Sequence, residues 1–148
     1  MSLSDLIQPD VVKVPLAARS KSEAIAELLD VLVHAGKVSD REHAMNALFE
    51  RESLGSTGLE SGIAVPHAKT GAVTRLTLAI GISPEGIDFQ SADGEPSRIF
   101  FLMLAPPDQS GPHIEALSEI ARLARAPAFL KALARAESAQ EVVELINE

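Results

Sequence analysis

At 148 residues, 46% hydrophobic and 23% charged, the chain is long enough to bury one real core, and one unit over residues 1–148 is expected. Thirteen Lys and Arg against 21 Asp and Glu give a formal charge of -8, which opposes nucleic acid and anionic membrane surfaces. Cysteine, Trp and Tyr are absent and five Phe remain, which removes a thiolate nucleophile, a disulfide framework and most stacking platforms for bases or sugars.

The start, Met1 to Leu6, has neither a basic segment nor an apolar signal core, and no apolar run approaches the roughly 20 residues of a membrane span. A cytoplasmic protein without membrane insertion is expected. A short helix at Leu3 to Ile7 and a short strand at Val11 to Val14 come first, the strand stopped by Pro15. Ser20 with Glu23 forms a capping-box pattern, and Ile25, Leu28, Leu29, Leu32 and Val33 share one helical face before Gly36, which predicts a helix over 21–35. Ser39 with Glu42 repeats the start signal for a second helix reaching toward Gly55.

A loop rich in Gly and Ser follows from Leu54 to Gly62, then the apolar run Ile63-Ala64-Val65 and a turn at Pro66-His67-Ala68. Leu76 to Ile82 reads as a buried strand, Ser83 to Gly86 as a turn, and Ile87 to Phe89 as a second short strand. Ile99 to Leu104 is the most hydrophobic run, suited to a central strand covered on both faces and closed by Pro106-Pro107. From Pro112 a helix places Ile114, Leu117, Ile120, Ala121 and Ala124 on one side. Pro127 restarts a helix through Leu130 and Leu133, and Ser138 with Glu141 caps a last one. Helices at both ends around a group of strands predict an α/β fold, a mixed, mostly parallel sheet sandwiched between helices on both faces.

The chemistry concentrates in two segments. The first runs from Arg51 through Gly55-Ser56-Thr57-Gly58 and Gly62-Ile63-Ala64-Val65-Pro66-His67 to Lys69; the second is Pro107-Asp108-Gln109 followed by His113-Ile114 and Leu117. Together they resemble the type-2 IIA domain of the sugar phosphotransferase system, the fructose and mannitol class, with the nitrogen-regulatory branch closest in motif. The resemblance implies a phosphohistidine carrier that accepts phosphate from an HPr-type donor protein, a phosphoryl carrier rather than a turnover enzyme by itself. The motif match favours a carrier whose phosphorylation state regulates partner proteins, with a sugar-specific, fructose- or mannitol-type IIA passing phosphate to a IIB partner as the alternative, and no metal or organic cofactor is implied.

The residue chemistry fits. A carrier needs a neutral imidazole whose free nitrogen attacks phosphorus, and His67 meets that need. By resemblance Arg51 is the active-site arginine, and its planar guanidinium can hold two phosphoryl oxygens at once. His113 matches the family's second histidine, near a helix start whose free amides favour anions, in a supporting role. Thr57 and Lys69 are candidate phosphate contacts. Glu60 departs from the small residue usual in the pattern, and a carboxylate there must face solvent or meet Arg51 or Lys69.

Blander readings stand beside these. Arg51 alone is a helix-end charge, His113 a helix-start residue bonded to a loop, Lys69 a surface lysine, and His34 and His43 structural or exposed. Two other functions compete: a metal-dependent hydrolase built on His67, His113 and Asp108, and a IIA-like interaction module that no longer takes phosphate. The hydrolase lacks any compact ligand spacing such as His-Glu-x-x-His, and the intact Pro66-His67 with Arg51 opposes the interaction module.

Overall fold

The computed structural model describes residues 3–147; Met1, Ser2 and Glu148, the ends of the stretch expected to form one unit, lie outside them. The elements in chain order are α1 (Leu3–Leu6), β1 (Val12–Lys13), α2 (Lys21–His34), α3 (Arg41–Ser53), β2 (Ile63–Ala64), β3 (His67–Lys69), β4 (Thr77–Ile87), β5 (Ser97–Ala105), α4 (Ser110–Leu123), α5 (Pro127–Ala134) and α6 (Ala139–Asn147). Among the described residues the strands form one sheet in the order β1-β4-β5-β2, with β3 also paired to β5. The pairs β1–β4, β2–β5 and β3–β5 are parallel and the long β4–β5 pair is antiparallel, so the sheet is mixed and mostly parallel, as expected.

Strand alternation sorts β5 between two cores. Ile99, Phe101, Met103 and Ala105 join Ala116, Ile120, Leu130, Leu133, Val142 and Val143 of α4, α5 and α6. Phe100, Leu102 and Leu104 join Ala24, Ile25, Leu28, Leu29, Leu32, Ala44 and Leu48 of α2 and α3. The apolar run is buried on both faces, which is why it shows no alternation in sequence. On the α2 side β4 carries small residues: a Cβ on Gly81 would meet Leu16 and Leu28 side chains at 2.8 Å, so its absence sets how closely the helix approaches.

Several local expectations are corrected. The second long helix is capped by Asp40, whose carboxylate accepts the His43 N–H at 3.1 Å; the Ser39 hydroxyl instead donates to the Ala72 carbonyl. Both residues are good caps, and the contact to Ala72 takes Ser39 away from the helix. Ser83 to Gly86 does not separate two strands. It forms a bulge within β4, where the register moves from Ile82↔Ile99 to Ile87↔Ser97 and the Ser83 hydroxyl accepts the Gly86 N–H. In α4 the inward positions are His113, Ala116 and Ile120, so Ile114 is 63% exposed and Ala121 faces solvent. The helix begins at Ser110, two residues before Pro112, and its buried stripe follows His113 at helical spacing. No helix among the described residues is long and apolar enough to cross a membrane.

Candidate functional site

His67 opens β3 instead of lying in a turn. It pairs in parallel register with Met103, while Ala68 pairs with Leu104 and Lys69 with Ala105. Three such residues give no strand signal by themselves; pairing with β5 recruits them, helped by the Pro66 carbonyl accepting the Met103 N–H at 2.9 Å. Alternation then sends Ala68 into the α2–α3 core and turns His67 and Lys69 the other way, toward α4.

Pro66 has no N–H and restricts Val65 to extended backbone, which leaves the Val65 carbonyl beside the next side chain. That carbonyl lies 2.7 Å from Nδ1 of His67. A carbonyl only accepts, so Nδ1 carries the hydrogen and the lone pair of the neutral ring sits on Nε2. Burial is the largest influence on this half-buried imidazole and pushes its pKa below the ordinary value; the Val65 bond opposes this, Arg51 adds to it and Glu52 opposes it.

His113, in the first turn of α4, meets His67 edge to face with ring centroids 5.2 Å apart and planes at 75°. It is buried, and its Nε2 has no hydrogen-bond partner. Burial first, then His67 and Lys69, lowers its pKa too, so both rings are neutral near pH 7. Lys69 reaches α4 and donates to the Ser110 hydroxyl at 2.8 Å. Arg51, in the last turn of α3, donates to the Gly55 carbonyl at 3.1 Å and acts on His67 through its charge. His67, His113, Arg51 and Lys69 therefore converge electrostatically from three elements.

Thr57 is placed differently. It is buried, and it gives its N–H at 2.8 Å and its hydroxyl hydrogen at 2.6 Å to the Glu52 carboxylate, leaving no donor for a phosphoryl group. Glu60 is exposed and faces solvent. His34 is exposed, whereas Nδ1 of His43 meets the Thr70 hydroxyl at 2.5 Å and ties α3 to the chain after β3. Among the described residues no three His, Cys, Asp or Glu side chains converge as a metal site would require, and the hydrolase reading gains no support from the geometry.

The sequence reading missed Glu52. Its one signal was an acid beside Arg51 and five residues before Thr57, which on a helix end reads equally well as a solvated charge.

The chain is 37% identical to the fructose-specific EIIA component of Haloferax volcanii, over 99% of this chain and 95% of that one. It is 32% identical to the nitrogen regulatory protein of Bradyrhizobium diazoefficiens, again over 99% and 95%. A fructose-specific EIIABC component of Bacillus subtilis is 36% identical over the whole chain, which spans 23% of that relative's length. Among solved structures, the nitrogen regulatory protein IIA-Ntr of Neisseria meningitidis superposes with a TM-score of 0.84 at 28% identity, covering 97% and 98% of the two chains. The Escherichia coli mannitol enzyme IIA, in a complex with its phosphorylated IIB, gives 0.80 at 25% identity, covering 95% and 96%. With residues 5–148 matching the family model "Phosphoenolpyruvate-dependent sugar phosphotransferase system, EIIA 2", the chain belongs to the type-2 EIIA family of that system.

Proposed function

We propose that this phosphocarrier, one IIA-type domain over residues 1–148, takes its phosphoryl group on Nε2 of His67. The carrying observation is the 2.7 Å contact of Nδ1 with the Val65 carbonyl, which leaves Nε2 as the nucleophilic atom. The donor is an HPr-type phosphohistidine protein. As the Nε2–P bond forms, the donor's N–P bond breaks and the donor ring leaves neutral; Nδ1 keeps its hydrogen, and the positive charge on the His67 ring is balanced by the phosphoryl group. No proton transfer and no cofactor is needed.

Arg51 holds the phosphoryl oxygens, and Nε2 of His113, an orphan in a buried place, donates to one of them when the group arrives. Lys69 adds charge at the rim from its seat on Ser110. Leu54, three residues after Arg51, and Ile114, next to His113, are large apolar side chains exposed at 81% and 63%, available for contact with a partner protein. The protein works in the cytoplasm, and its phosphorylation state regulates partner proteins. Transfer to a fructose- or mannitol-type IIB is the second reading, favoured by the identity to fructose-specific components.

Incubation with phosphoenolpyruvate and the general phosphotransfer proteins, followed by intact mass, should add one acid-labile phosphoryl group. The gain persists in His113→Ala and disappears in His67→Ala; a stable label in His67→Ala would refute the assignment. Chasing the labelled protein with fructose- and mannitol-type IIB components then separates the readings, since a regulatory endpoint retains its phosphate.

A further inference from the structure

Among the described residues Glu52 is the one buried carboxylate, its side chain 6% exposed. Oε2 accepts the Lys21 ammonium at 2.8 Å and the Thr57 N–H at 2.8 Å, and Oε1 accepts the Thr57 hydroxyl at 2.6 Å. The bonds continue toward the site. The Thr57 carbonyl accepts the Val65 N–H at 3.0 Å, and the Val65 carbonyl accepts the ring N–H of His67 at 2.7 Å. A carboxylate thus reaches the imidazole through two residues, each holding the next by backbone groups.

Burying a carboxylate is costly unless it is paired. Lys21 supplies the pair and is itself fixed, 4.9 Å over the Phe89 ring and 3.2 Å from the Gln90 side-chain oxygen. A neutral residue could pin a loop without that cost, so the charge calls for a role of its own. Glu52 acts on His67 in the sense opposite to Arg51, favouring the cationic ring that Arg51 disfavours. Transfer onto Nε2 places positive charge on the ring, which a nearby fixed carboxylate stabilises as it develops.

We propose that Glu52 is the positioning residue of the carrier: it fixes the His67 ring through Thr57 and Val65 with Nε2 outward, and its charge supports the cationic ring formed during transfer. This rests on the reading of His67 as the acceptor, but its first consequence, the state of the resting ring, does not require phosphate.

The test uses the full chain with Glu52→Gln, Glu52→Asp and Thr57→Val. Nitrogen-15 NMR reads the His67 tautomer and titration midpoint in the unphosphorylated protein, and phosphorylation by phosphoenolpyruvate with the general phosphotransfer proteins is timed between pH 6 and 8. Glu52→Gln should mix the tautomers, lower the midpoint and slow labelling by about tenfold or more. Glu52→Asp, which keeps the charge, should recover part of the rate. Thr57→Val, which cuts only the hydroxyl link, should slow labelling less and leave the midpoint near its original value. A folded Glu52→Gln with unaltered tautomer, midpoint and rate overturns the proposal; if that variant does not fold, an unaltered tautomer and rate in Thr57→Val does so. A parent protein that takes no label while Glu52→Gln still alters the ring would retire the acceptor reading and uphold the orientation.

Discussion

At the scale of single residues, the 2.7 Å contact between Nδ1 of His67 and the Val65 carbonyl sets the rest of the chemistry, because it decides which nitrogen is free. Burial keeps that ring neutral to lower pH than an ordinary histidine, near 6.5. The rate of phosphoryl acceptance should therefore hold as the pH falls from about 7.5 to about 6.5 and decline only below it. Timed labelling with the donor proteins kept saturating would show an earlier decline if burial did not dominate. His67, the proposed acceptor, stands out in sequence because its setting is local: Pro66 shapes the backbone on one side and small Ala68 leaves room on the other. Glu52 was not legible, because its burial depends on Lys21 from another helix and on the return of Thr57. Thr57 looked like a phosphate contact for the same reason, as nothing in the chain announced that its hydrogens were already given away.

At the scale of elements, legibility follows how local the cause is. Ser20 and Ser138 accept the N–H groups of Glu23 and Glu141, and Pro127 opens α5, all as their spacing implied. The strand holding His67 was hidden because β5 creates it, and the bulge in β4 was hidden because Ser83 to Gly86 has turn composition whether or not the strand continues. The close packing of α2 on β4 depends on Gly81. Gly81→Ala should destabilise the protein by roughly 1–3 kcal/mol, because Leu16 and Leu28 are buried and have little room to yield. Urea unfolding at constant slope would measure it, and an unchanged midpoint would mean that the helix can withdraw at little cost.

At the scale of the whole molecule, the two lowered imidazoles link stability to pH. The unfolded chain takes up protons near pH 6.5, whereas folded His67 and His113 do so only at lower pH. Over that window the unfolded state holds more protons, so stability present above about 6.5 is lost as the pH falls through the lowered values. The melting temperature should drop between pH 7.5 and 5.5, and the drop should shrink in His113→Gln; an equal drop in parent and variant would assign the effect elsewhere. The division into two helical layers was visible in the order of elements, while the placement of the ends was not. Leu3 at the start of α1 and Ile146 near the end of α6 line one shared hollow, and the Leu3 N–H is held by Glu119 of α4 at 2.8 Å. Leu3 of α1 and Ile146 of α6 thus lie side by side. Segments so placed can be joined by a short linker without crossing the sheet. A permuted chain, its old ends joined by a short flexible linker and new ends opened between Ala92 and Glu95, should fold and carry phosphate as the original does.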